Sequence, residues 1–98
     1  MAEIPSAELK LEIKKLIMTT LNITDIDPEE VDDELPLFGG GNKLTLDSVD
    51  ALELIMAVQR TYQVRIADQN LARYTLRSIN SIAEFIKTEK AGQHPETK

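Results

Sequence analysis

Apolar residues recur at helical spacing over three stretches of the chain. Leu9, Ile13, Leu16, Ile17 and Leu21 fall at i, i+4, i+7, i+8 and i+12, one face of an α-helix, while Glu8, Glu12, Lys10 and Lys14 take the other faces. Ile4-Pro5-Ser6 opens this helix, with Ser6 or Ile4 at the cap, and the pattern fades near Leu21-Asn22. A second helix starts at Asp47 as N-cap and runs to about Tyr62, with Ala51, Leu54, Ile55, Val58 and Tyr62 on its core stripe. Val49, Leu52 and Met56 make a second apolar stripe beside Glu53 and Arg60. A helix apolar on two sides is central in the fold, or its second stripe meets a partner. The last helix begins at Ser78 and carries Ile79, Ile82, Phe85 and Ile86 at i, i+3, i+6 and i+7.

The segments between are shorter or less regular. Val64-Arg65-Ile66 reads as an extended link, and Asp68 caps a brief helix to about Tyr74 that carries Leu71. Residues 22–47 form a long connection. Asp27-Pro28-Glu29-Glu30 has a cap, a proline at the first helical position and an acid at the third, enough for one short turn. Ile26, Val31, Leu35, Leu37 and Phe38 are spaced anchors that pin this connection to a core, and Gly39-Gly40-Gly41-Asn42 is a flexible break. Connections of this length are either functional or folded over the core. Neither strand alternation nor an internal repeat is present. The pattern predicts an all-α bundle of four helices, three longer and a short third, with a long loop between the first two. Ninety-eight residues fit a single domain, placed at 1–88, followed by a flexible polar tail over 89–98.

Composition narrows the chemistry. No cysteine removes disulfides, thiolate metal sites and cysteine nucleophiles together. One histidine, His94 in the expected tail, leaves no triad and no histidine metal cluster. With 42% hydrophobic residues but only four aromatics, the core must be largely aliphatic. No apolar run nears the ~20 residues of a membrane span, and no signal segment opens the chain, so the expected location is cytoplasmic. Of the net charge of −6, residues 25–53 hold ten acids against Lys43 alone, whereas residues 1–24 are neutral and 54–98 net basic. Such a field repels nucleic acid and favours basic protein surfaces. The acidic run Asp25–Glu34 lacks the spacing of an EF-hand loop, so no metal site is expected there. The glycine run lacks the Walker pattern of a phosphate loop.

One segment carries more specific information. Leu44-Thr45-Leu46-Asp47-Ser48-Val49-Asp50-Ala51-Leu52-Glu53-Leu54 resembles the prosthetic-group attachment site of acyl carrier proteins, with its D-S-[LIV]-[DE]-x-x-E-L pattern at the start of the second helix. The likeness runs from about Leu9 to Ile86. It implies a four-helix bundle whose Ser48 bears 4′-phosphopantetheine, with acyl groups held as thioesters on the terminal thiol. The chain is then a substrate of a phosphopantetheinyl transferase and a carrier, not an enzyme. The local physics agrees: a serine just after a helix cap lies beside unsatisfied N–H groups at a positive dipole end, where a phosphodiester is favoured. Nothing in the chain would activate the hydroxyl, so the base must come from the modifying enzyme.

The resemblance also implies that Asp47, Asp50 and Glu53 meet basic patches on acyl-chain synthesising or transferring enzymes, with Val49 and Met56 as apolar contacts. Those acids could equally serve the helix start alone, and Val49 and Met56 could be core. Gln59 and Arg60 stand where many fatty-acid carriers have further acids, which concentrates recognition toward the start of the helix. Val58, Ile66, Leu71 and Ile82 are expected to line the space an acyl chain enters between the second and third helices. Fatty-acid, special-lipid and polyketide pathways remain open, and a monomer is implied. The rival readings are an aminoacyl or peptidyl carrier, and an unmodified interaction module of the same fold.

Overall fold

The computed structural model describes residues 6–38 and 46–92, and the side chains of all of these except Ser6, Ala91 and Gly92. Four α-helices follow in order: α1 (Ser6–Thr20), α2 (Ser48–Tyr62), α3 (Gln69–Thr75) and α4 (Ile79–Gly92). The expected glycine break and the segment containing His94 lie outside the described residues. Helix α4 continues to Gly92, four residues into the stretch expected to be a tail. Polarity alone does not end a helix, because Glu, Lys and Ala are good helix formers.

The caps are written in local sequence. Asp68 Oδ1 accepts the Leu71 N–H at 2.8 Å and starts α3. Ser78 and Ser81 cap α4 reciprocally: Ser78 Oγ accepts the Ser81 N–H at 3.2 Å, and Ser81 Oγ accepts the Ser78 N–H at 2.9 Å. Asn22 and Gln63, both in the left-handed region, turn the chain off the ends of α1 and α2.

The core gathers one stripe from each long helix: Leu9, Ile13 and Ile17 from α1, Leu54 and Val58 from α2, Ile79, Ile82 and Ile86 from α4. Helix α1 packs against α4 and α2, and α3 packs on α4. Tyr62, at the end of α2, is buried and donates a hydrogen bond to Glu12 Oε1 of α1 at 3.4 Å. Burial first, and then the Glu12 carboxylate, push the Tyr62 phenol up to about 12. A folded pKa above the free value of ~10 gives stability that is full below about pH 10 and is lost as the pH rises toward 12. Urea unfolding across that window should therefore show wild type losing stability relative to Tyr62→Phe. Parallel losses in the two proteins would contradict the assignment.

The long connection folds over the core. Asp27 Oδ1 accepts the Glu29 N–H at 3.0 Å and starts a 3₁₀ turn at Pro28–Glu30. Asp32 Oδ1 accepts the N–H groups of Glu34 and Leu35. Asp33 is tied to both neighbouring helices: its side chain pairs with Lys14 Nζ at 2.7 Å, and its carbonyl accepts the Asn80 N–H at 2.9 Å. Val31 and Leu37 are buried anchors, while Leu35 is exposed.

Candidate functional site

The start of α2 is fixed from three sides. Leu46 is buried in the core; its N–H donates to the Leu37 carbonyl at 2.9 Å, and the Leu37 N–H donates in turn to the Arg77 carbonyl at 2.9 Å. With Leu46 anchored, the next residues turn outward. Asp47 takes an extended conformation (φ −122°, ψ −176°) and caps the helix. Its Oδ1 accepts the Asp50 N–H at 3.0 Å, and Asp50 Oδ2 accepts the Asp47 N–H at 3.1 Å. This capping box satisfies two of the orphan donors of a helix start.

Ser48 is the first residue of α2 and is exposed. No acceptor for the N–H groups of Ser48 or Val49 is found among the described residues. Two free donors and the positive end of a fifteen-residue helix favour an anionic group on the Ser48 hydroxyl.

Ser48 also lies on the rim of a groove of about 550 Å³. Ser48, Ala51, Leu52 and Ile55 of α2 form one wall, spaced i, i+3, i+4 and i+7. The other wall comes from Gln69, Ala72 and Arg73 of α3 with Leu76 and Arg77 of the turn after it, and Pro36 and Phe38 close one side. The groove is mainly apolar and lies where α2 and α3 approach one another little.

The residues singled out by sequence divide into three sets. Val49 and Met56 stand out from α2, 65% and 61% exposed, and Leu52 matches them at 65%. Leu54, between them in sequence, is fully buried. The second apolar stripe is therefore a surface stripe. Glu53 borders it, while Asp47 and Asp50 lie further round the start of the helix and spend carboxylate oxygens on each other's N–H groups. The expected lining residues do not meet the groove. Val58, Ile66 and Ile82 are buried in the core and Leu71 packs half-buried against it, while the groove wall uses residues nearer the start of α2 and Ala72 and Leu76 beyond Leu71.

Two roles escaped the sequence reading. Asp50 completes the cap, a role signalled by its position three residues after Asp47. Gln59, conspicuous as a missing acid, accepts the Ile66 N–H through Oε1 at 2.8 Å and holds the link between α2 and α3.

A family model for the phosphopantetheine attachment site matches residues 12–86, most of the chain and the whole of the site just described. An acyl carrier protein from Onion yellows phytoplasma is 35% identical over 75 residues, covering 76% of this chain and 88% of that protein. The chain belongs to the acyl carrier protein family. Two further acyl carrier proteins agree in length as well as sequence. That of Wolinella succinogenes is 28% identical over 81% of this chain and 93% of its own, and that of Thermosynechococcus vestitus 28% identical over 87% and 95%.

As an acyl carrier protein the chain is a carrier and not an enzyme, and it carries 4′-phosphopantetheine covalently. The residues present fit such a group: an exposed hydroxyl, two free N–H donors beside it and an apolar groove within reach. Family membership entails work with a transferase and with synthesising enzymes. No helix among the described residues is long and apolar enough to cross a membrane.

Proposed function

We propose that the prosthetic group is attached through Ser48 Oγ, and that the chain presents acyl thioesters to fatty-acid, special-lipid or polyketide enzymes. The observation that carries this is an exposed serine opening a capped helix inside Asp47-Ser48-Val49-Asp50, on the rim of an apolar groove. When bound, the group supplies a terminal thiol that holds an acyl chain as a thioester. Ser48 contributes the hydroxyl oxygen, and the helix start contributes N–H donors and a favourable field for the phosphodiester. The chain's one histidine, His94, stands 46 positions away in sequence, and the proton of the hydroxyl leaves to a base of the transferase. The aliphatic groove wall of Leu52, Ile55 and Leu76 is suited to shielding the first carbons of a cargo chain.

Partner enzymes dock on the outer face of α2. Val49, Leu52 and Met56 are large, exposed and contiguous at helical spacing, and Glu53 supplies negative charge beside them, with the capping pair further round the start of the helix. A basic enzyme surface with a small apolar recess is the complement. Met56→Ala should leave unfolding within about 0.5 kcal/mol of wild type, as expected for a side chain mostly in water. The same change should lower the transferase's kcat/KM for the chain about tenfold, the loss of one packed contact of ~1.4 kcal/mol. Unchanged transfer kinetics would move the docking surface elsewhere.

The reading makes the chain a cytoplasmic monomer and an acyl rather than an aminoacyl or peptidyl carrier, on the strength of Leu46-Asp47-Ser48 and the acidic start of α2. Loading separates the two. Given the phosphopantetheinylated chain, an acyl-activating enzyme with a fatty acid should give a hydroxylamine-labile mass gain, and amino-acid adenylating enzymes should give none. The reverse result would assign an aminoacyl cargo.

A further inference from the structure

The groove beside Ser48 has a charge of its own. In a chain with 17 acids and 11 bases, its lining holds two arginines and no acid among the described residues. Arg73 and Arg77 are exposed, and neither guanidinium pairs with a carboxylate among the described residues. Their end of the α3 segment is also the end nearest Ser48. The Arg77 carbonyl is joined through Leu37 to Leu46, two residues before Ser48, by two successive 2.9 Å hydrogen bonds. Gln69, two turns away from Arg77, lies toward the other end of the same wall.

The acids of α2 lie on its other side. At 100° per residue, Asp50 and Glu53 sit about 150° around the helix from the middle of the groove-facing set Ser48, Ala51, Leu52 and Ile55. An anion on Ser48 therefore has Asp50 and Glu53 behind it, the Asp47 cap to one side at about 90° from the groove axis, and guanidiniums in front. Both contributions push it the same way, toward the groove.

We propose that Arg73 and Arg77 form a cationic rim that holds the Ser48 phosphodiester on the groove side and so directs the group it anchors over the α2–α3 groove rather than out into solvent. This rests on Ser48 being the attachment residue. The arginines are positioning residues: they touch the phosphate and set a direction, and they take no part in forming or breaking the thioester. Arg73 also sits in the last turn of α3, where a cation favours the helix end. That role is the same with and without the prosthetic group, so a comparison of the two forms isolates the proposed one.

The test starts from protein whose mass and peptide map place the group on Ser48, which keeps it separate from the attachment reading. In wild type, the arginine Nε–H resonances of Arg73 and Arg77 should differ between the unmodified and phosphopantetheinylated forms. That difference should shrink at about 1 M salt, where the screening length falls to ~3 Å. In the R73Q/R77Q double variant the phosphodiester ³¹P resonance should move toward that of the same phosphodiester in the urea-unfolded phosphopantetheinylated chain. Coincident arginine resonances in the two forms, or a ³¹P signal indifferent to the double variant, would overturn the proposal. Arginine resonances that move only once a cargo ending in a carboxylate is loaded, and not on attachment itself, would overturn it as well, giving the rim to the cargo. The wild-type comparison needs no variant to fold, and both substituted side chains are exposed.

Discussion

Leu54→Ala should destabilise the unmodified chain by about 3 kcal/mol, within the 2–5 kcal/mol typical of burying a cavity in place of a leucine. Leu54 is fully buried, and it lies on the stripe of α2 that meets Ile13 and Ile17 of α1 and Ile79 and Ile82 of α4 in one cluster. Its neighbours are mostly aliphatic, and the helices that present them are tied at their ends, so the walls close only in part on the space left behind. For a domain of this size each kcal/mol moves the melting midpoint by about 4–8 °C, so the variant should melt roughly 12–24 °C below wild type. Leu52→Ala is the control: two residues away and 65% exposed, it should stay within about 0.5 kcal/mol. Calorimetry on the pair reads out which of the two stripes of α2 holds the bundle together. Equal losses would mean that the outer stripe is not a surface.

Much of this was legible in the sequence because the governing physics is local. The core stripes of α1 and α2 follow from 3.6-residue periodicity, and Asp27, Asp47 and Asp68 announce their helix starts because a cap needs only an oxygen one turn from its N–H. The outer stripe of Val49, Leu52 and Met56 was visible in the same way. What the sequence could not order was whichever feature depends on how helices sit against one another. The groove is built from Ala51 and Ile55 on one element and Ala72 and Leu76 on another, and no spacing along the chain connects them. Val58, Ile66, Leu71 and Ile82 were equally apolar, and without the packing nothing distinguished a groove wall from a core. The rim arginines were read only as charge, since their nearness to Ser48 passes through Leu37 and Leu46, far away in sequence. The long connection likewise showed its anchors Val31 and Leu37 but not the Asp33 ties to Lys14 and Asn80.

Ser48→Ala removes a single oxygen, and its expected effect is complete. The side chain is exposed and makes no described hydrogen bond to another element, and alanine is the better helix former, so the fold should remain. What disappears is the only hydroxyl in the run from Asp47 through Met56, and with it the proposed point of attachment. The capping box is untouched, because it is made by Asp47 and Asp50 alone. The α2 stripe proposed to dock the transferase is untouched as well, so the variant should still bind that enzyme and compete with wild type for it. A loss of docking along with modification would point to misfolding rather than to a missing acceptor.

The most direct measurement is an intact-mass and peptide-mapping experiment with coenzyme A, Mg²⁺ and a phosphopantetheinyl transferase. Wild type should gain one phosphopantetheine, fragmentation should place it on Ser48, and Ser48→Ala should gain nothing. Wild type left unmodified by several such enzymes, or a label found on any other hydroxyl, would contradict the account.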